Sequence, residues 1–214
     1  MKTPFPKTTF PQNPYQRAWF ARDFFHSPDG IGEFPQHHCK QTFNISMPFV
    51  KKFRNAVDVG CRDGEYARYL QHYFAHTYCF DPRVMMNFCY NVDLAKVTHF
   101  SCAVGDEPGV IQMAGGTHRR IAGRMWDAPC LTLDQFELED VDYIKIDVEG
   151  FERKVLRGGA RTIAMCRPLI VIEQNDVTLP DEDPLAAKAW LESQDYQHVA
   201  TCPRGWDLVM VPRD

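Results

Sequence analysis

The chain has 214 residues, 44% of them hydrophobic, and a net charge of −4. That length fits one domain of ordinary size with an extension, and no run approaches ~20 apolar residues, so no transmembrane helix is expected. The charge is uneven: residues 1–54 hold eight Lys/Arg against three Asp/Glu, and the remainder holds 16 against 25.

A basic arm beside an acidic body either folds back on it, recruits an anionic ligand, or stays solvated with no electrostatic task. Residues 1–48 contain seven of the fifteen prolines and read as an extension, with the main domain over 49–214. The opening MKTPFPKTTFPQNP has no apolar core of a signal peptide, so a cytoplasmic protein is expected. Asn13-Pro14 reads as a cap followed by proline at the first helical position, opening a helix over Tyr15–Phe25. Trp19, Phe20, Phe24 and Phe25 are too apolar to leave in water. That helix is expected to cap the main domain or to form a homodimer face. His26 to Gln41 has Gly and Pro punctuation and reads as loop. The eight cysteines are scattered singly with no C-x-x-C pair. This predicts buried reduced thiols rather than disulfides or zinc. His37-His38-Cys39 lacks a partner pair at ligand spacing, and no resident metal is expected.

The main domain opens with Ala56–Val59, a short apolar run suited to a buried parallel strand. Gly60 and Gly64 follow, in VDVGCRDGEY, and predict a sharp turn in which the backbone comes close to a ligand. Glu65–Ala75 reads as the next helix and Thr77–Phe80 as the next strand. Asp81 lies 23 positions after Asp58, near the ~20-residue offset at which a carboxylate meets ribose hydroxyls. A dinucleotide turn is G-x-G-x-x-G, and here Gly60 is followed by Cys61, Arg62 and Asp63, so Arg62 stands where its middle glycine would be. A nicotinamide dehydrogenase is therefore disfavoured. Asp58 and Asp63 place negative charge where a pyrophosphate would sit. They suit a cofactor with a cationic end, such as S-adenosylmethionine.

Further on, a helix is expected over Arg83–Leu94 and a strand over Val97–Val104. A glycine-containing insertion follows between Gly105 and Pro129, with a short strand at Val110–Met113. Tyr143–Asp147 reads as a buried strand, Phe151–Met165 as a helix, Leu169–Glu173 as a strand and Pro184–Gln194 as a helix. Gln197–Cys202 and Trp206–Val211 read as an antiparallel hairpin at the sheet edge. The alternation predicts a doubly wound α/β fold, Rossmann-like, with a mostly parallel sheet. Three charges, Lys145, Asp147 and Glu149, are costly in so apolar a strand unless paired or at its mouth. Its carboxyl end sets Asp147 and Glu149 beside the cleft. A purely structural reading pairs Lys145 with a carboxylate and bonds Glu149 and Glu152 to backbone N–H groups at the helix start.

The blocks VDVGCRDGEY, Phe80-Asp81-Pro82, AVGDEPG, LTLDQF and VDYIKIDVEGFERKVLRGGARTIAMCRPLIVIE occur in this order from Asp58 to Glu173. Together they resemble the FkbM-type family of S-adenosylmethionine-dependent methyltransferases. The family usually has Ala-Asn at Cys61-Arg62 and commonly Glu at Asp81. The resemblance implies that Asp58, Gly60 and Gly64 form the cofactor turn and that Asp81 holds the ribose. It also implies that Ala103 and Val104 flank the adenine, and that Asp147, Glu149 and Glu173 line the reaction side. It further implies methylation of an oxygen on a sugar or other small polar acceptor.

Deprotonating a hydroxyl acceptor needs a base, for which Asp147, Glu149 and His118 are the candidates. A magnesium site from Asp147 with Asn175 or Asp176 is the alternative route. Arg119 and Arg120, on the loop 115–120 with Arg124 beside it, are candidates for contacting an anionic substrate group. Nucleic acid is disfavoured as a substrate by the acidic domain and the absent N/D-P-P-Y/F motif, although the basic aromatic arm favours it. A non-catalytic cofactor-binding module is the other alternative.

Overall fold

The computed structural model describes residues 36–83, 88–114, 125–174 and 183–213. Seven strands form the main sheet: β1 (Asn55–Val59), β2 (His76–Phe80), β3 (Val97–Phe100), β7 (Val141–Ile146), β8 (Leu169–Glu173), β9 (Tyr196–Thr201) and β10 (Asp207–Pro212). Their order is β3-β2-β1-β7-β8-β10-β9. The first five are parallel, and β10 runs antiparallel to both β8 and β9. A second sheet holds β4 (Ala103–Val104), β6 (Met125–Leu131) and β5 (Gly109–Ala114). The fold is thus the expected α/β class with a mostly parallel sheet.

Several expected elements differ in detail. The strand expected over Val97–Val104 breaks at Ser101-Cys102, and Ala103-Val104 pairs instead with Cys130-Leu131 in the small sheet. Strand β6 was not expected, because Asp127 and Pro129 interrupt its apolar pattern; it pairs along its length with β5. The hairpin lies at the sheet edge as expected, its second strand β10 against β8 and its first strand β9 outermost. Only Ala67–Leu70 of the 65–75 helix is α-helical (α2), and Phe88–Asn91 (α3) is the described α-helical part of the next. The helix over 151–165 divides at Gly159 into α4 (Glu152–Gly158) and α5 (Ala160–Cys166), and α6 spans Ala186–Ser193.

The loop expected over 26–41 is corrected at its end, where Gln36–Ser46 forms helix α1. Phe43 of α1 is fully buried against Tyr66, Tyr69 and Tyr73. The Thr42 hydroxyl donates to Asp207 Oδ2 (2.8 Å), and Ser46 Oγ lies 2.7 Å from Tyr143 Oη. The helix expected over 15–25 lies outside the described residues. Among the described residues no helix is long and apolar enough to cross a membrane, and all eight cysteines are free of disulfides.

The side-chain period of two sorts the sheet into faces. Val57, Val59, Ile144, Ile146, Ile170 and Ile172 enter one core with Val155 and Leu156 of α4, Ile163 of α5 and Leu191 of α6. Ala56, Tyr143, Leu169, Val171 and Val209 enter the other, with Phe43, Leu70 and Phe74. Both faces are covered, which explains the near-continuous apolar runs of the parallel strands.

Candidate active site

The chain leaves β1 outward through β2 and β3, then returns to lay β7 on the other side of β1. Strands β1 and β7 therefore bracket the switch point of the sheet, where open α/β folds form a crevice. Gly60 ends β1 with φ 87°. A Cβ there would lie 1.8 Å from the Asp147 carbonyl oxygen, so no other residue fits. The glycine is required by close approach of the chain's own backbone. Gly64 is alike: at φ 79° its missing Cβ would press on Val92 and Phe88.

Asp81, at the end of β2, is 2% exposed. Its Oδ1 accepts from Arg83 N–H (2.8 Å) and Arg83 Nε (3.1 Å). Its Oδ2 accepts from Arg62 N–H (3.0 Å) and Arg83 Nη2 (3.2 Å). Arg62, the departure from the family pattern, adopts φ 44° and points its guanidinium toward Glu65 at 3.7 Å.

The β7 side gathers the charges. Lys145 is 3% exposed; its Nζ lies 3.3 Å from Asp147 Oδ2 and 3.0 Å from Asp207 Oδ1. Burial works against its charge, but Asp147, Asp207 and Glu173 outweigh it and hold the pKa well above the usual lysine value. Glu173, at the end of β8, is pushed far above the carboxylate range by burial and then by Asp147. It is therefore the protonated member of the group at neutral pH. Glu149 is exposed with φ 56°, and Gly150 follows at φ 101°. A non-glycine residue in the left-handed region is uncommon and marks a turn held by its surroundings. Desolvation, then Asp147, raises the Glu149 pKa, while Arg62 and Arg83 oppose the rise. Asp147, Glu149 and Glu173 each bring a ligand oxygen within 4.8 Å of the others, a spacing that a hard divalent cation also accepts.

Other predicted residues sit behind the mouth. Asp58 is 1% exposed, faces Lys145 in register, and has its pKa raised to about 7 by burial. It lies beneath the turn, at the end of β1. Asp63 is buried too, and its carbonyl accepts from Asn91 Nδ2 at 2.6 Å. Ala103 and Val104 are buried in β4, and Val104 packs in the main core. Glu152 accepts from Val148 N–H and Gly150 N–H at 3.1 Å each. This matches the structural reading for Glu152 but not for Glu149. His118, Arg119, Arg120, Arg124, Asn175 and Asp176 lie outside the described residues. Sequence reasoning missed Arg83 and Asp207. The first had a local signal, since Asp-Pro-Arg is an Asx-turn sequence.

Residues 97–198 match the model of the methyltransferase FkbM domain. The chain resembles the FkbM methyltransferases. The matched segment takes in Ala103, Val104, Asp147, Glu149 and Glu173, but stops short of the turn at Gly60 and of Asp81. Methyltransferase FkbM from Methylobacillus flagellatus KT is 21% identical, with a TM-score of 0.55. The alignment covers 76% of this chain and 44% of that one, so the chain spans less than half of that protein. Precorrin 8W decarboxylase from Methanobacterium thermoautotrophicum is 14% identical with a TM-score of 0.48, over 81% and 89% of the two chains. A candidate methyltransferase from Streptococcus mutans, in complex with SAH, is 11% identical with a TM-score of 0.48, over 79% and 95%. No curated protein matches the chain. At 21% identity the likeness shows the fold alone: the chain shares the fold of that structure, with its carboxylates at the strand ends.

Proposed function

We propose that the protein is an S-adenosylmethionine-dependent methyltransferase acting on an oxygen of a sugar or other small polar acceptor. One observation carries the reading: Asp81 and Asp147 stand at the ends of β2 and β7, on either side of the Gly60 turn at the switch point. The residues fit the cofactor. An acidic mouth suits its cationic amino and sulfonium groups, and Asp81 suits its ribose. Asp81 accepts four bonds already, so the Arg83 guanidinium must release it first. When bound, the cofactor supplies a methyl group on positive sulfur, open to in-line displacement.

The chain's own residues divide the remaining work. Asp147 is held by the Lys145 ammonium, 3.3 Å from its Oδ2. It serves to orient the acceptor. Glu149 is exposed and of raised basicity, and takes the hydroxyl proton. Glu149 is the second of the three candidate bases, after Asp147 and before His118. The carboxylate spacing supports a second route, in which a divalent cation lowers the hydroxyl pKa.

Calorimetry with S-adenosylhomocysteine tests the cofactor, and Asp81→Ala should abolish the heat. Methyl release on pools of sugars and small hydroxyl compounds tests the reaction; binding without turnover on any pool would favour a non-catalytic module. Glu149→Gln should lower kcat by about 10²–10⁴-fold with unchanged cofactor affinity. Loss of activity in EDTA, restored by Mg²⁺, would replace the base with the cation.

A further inference from the structure

The opposite end of the sheet carries a cavity of about 580 Å³. It lies at the amino ends of β1, β7 and β8, where Arg54, Asp142 and Leu169 stand, and at the carboxyl end of β10. A five-residue strand, roughly 16 Å long, separates this end from the mouth at Gly60. The volume is within the range of small-molecule sites, about 300–1,000 Å³.

Its chemistry differs from that of the whole chain. Lys51, Lys52, Arg54, Arg167 and Arg213 line it, with Asp142 the one acid, in a protein of net charge −4. Asp142 is committed: Arg54 donates to it from its backbone N–H (2.8 Å), Nε (3.0 Å) and Nη2 (2.6 Å). Arg167 is fixed by bonds to the carbonyls of Gln194 (2.8 Å) and Asp195 (2.9 Å). Those partners hold the guanidinium in place without cancelling its charge. Cations gathered in a concave wall focus the field and concentrate anions there. Apart from Gln197 and Cys166, the rest of the lining is apolar, including Pro48 and Phe49 before β1 and Leu169 and Val211 on the strands. Phe49 is 38% exposed, which leaves a ring available to an apolar body.

We propose that this basal cavity is a second binding site, for a phosphate ester with an apolar body. The phosphate sits on Lys51, Lys52 and Arg213, and the body lies along Phe49. Cations supply charge-assisted bonds to the phosphate oxygens, while the apolar wall reads what the phosphate is attached to. The site is separate from the cofactor mouth and does not rest on the methyltransferase reading.

Full-length protein is titrated by calorimetry with phenyl phosphate, inorganic phosphate and S-adenosylhomocysteine. Phenyl phosphate should bind more tightly than inorganic phosphate. The double variant Lys51→Glu/Lys52→Glu, and Arg213→Glu separately, should each weaken it by about tenfold or more. All three side chains are exposed, so reversal leaves the core intact, and S-adenosylhomocysteine binding should not change. No heat with phenyl phosphate, or equal heat in both variants, would overturn the proposal. Equal affinity for inorganic phosphate would remove its apolar half. Binding of a short RNA but not of phenyl phosphate would replace the small ligand with a nucleic acid. Failure of S-adenosylhomocysteine alone would sink the cofactor reading and leave this site standing.

Discussion

Arg83 supplies three of the four hydrogen bonds that Asp81 accepts. Two of the three come from its guanidinium and compete with a ribose for the same lone pairs. Arg83→Ala should therefore tighten S-adenosylhomocysteine about tenfold, read by calorimetry, since a charge-assisted bond is worth roughly 1.5–3 kcal/mol. Glu173→Gln should leave methyl transfer near the wild-type rate, because glutamine resembles the protonated acid that burial and Asp147 maintain. Glu152 yields a stability prediction. Burial pushes its pKa up to about 7, above its unfolded value, so the folded state binds the extra proton. Its contribution is complete at low pH and is lost as pH rises from about 4.5 through 7. Glu152→Gln keeps an oxygen for the Val148 and Gly150 amides. It should raise stability by about 1–3 kcal/mol at pH 8 and change little at pH 4, measured by urea unfolding. Asp81 was legible from its offset after Asp58 and from the family blocks. Asp207 was not, because its partner Lys145 is 62 positions earlier and nothing local marks such a pair.

Among the elements, the parallel strands were legible and the helices less so. A strand buried on both faces writes a dense apolar run, as Leu169–Glu173 does with its expected bounds. Helix α1 left no such trace. Its packing rests on Phe43, Thr42 and Ser46 spread among polar residues, after the punctuation at Gly30, Gly32 and Pro35. The structure nevertheless docks it by one aromatic and two hydroxyls against β7, β10 and the tyrosines after β1. Phe43→Ala should cost about 3–5 kcal/mol of stability by urea unfolding. Strand β6 was hidden by Pro129, which lacks an N–H for the ladder. The split between β3 and β4 was hidden because no Gly or Pro punctuates residues 97–104; the pairing of Ala103 with Cys130 separates them.

For the whole molecule, the sequence conveyed the βα alternation and the place where a crevice must open. It did not convey which glycine contacts were internal, since a turn pressed on a ligand and one pressed on a neighbouring strand use the same residue. Nor did it locate the basic run. Lys51, Lys52 and Arg54 looked like part of an arm, yet the fold sets them at the foot of the sheet, at the end remote from the acidic mouth.

The fit of Gly60 against the Asp147 carbonyl has a mechanical consequence. The loops after β1 and β7 share one wall with no spare volume, so neither can adjust alone. A nucleoside drawn onto the first should press the second into place for the acceptor. Amide hydrogen exchange at Cys61 and Val148 should then slow in step as S-adenosylhomocysteine is added.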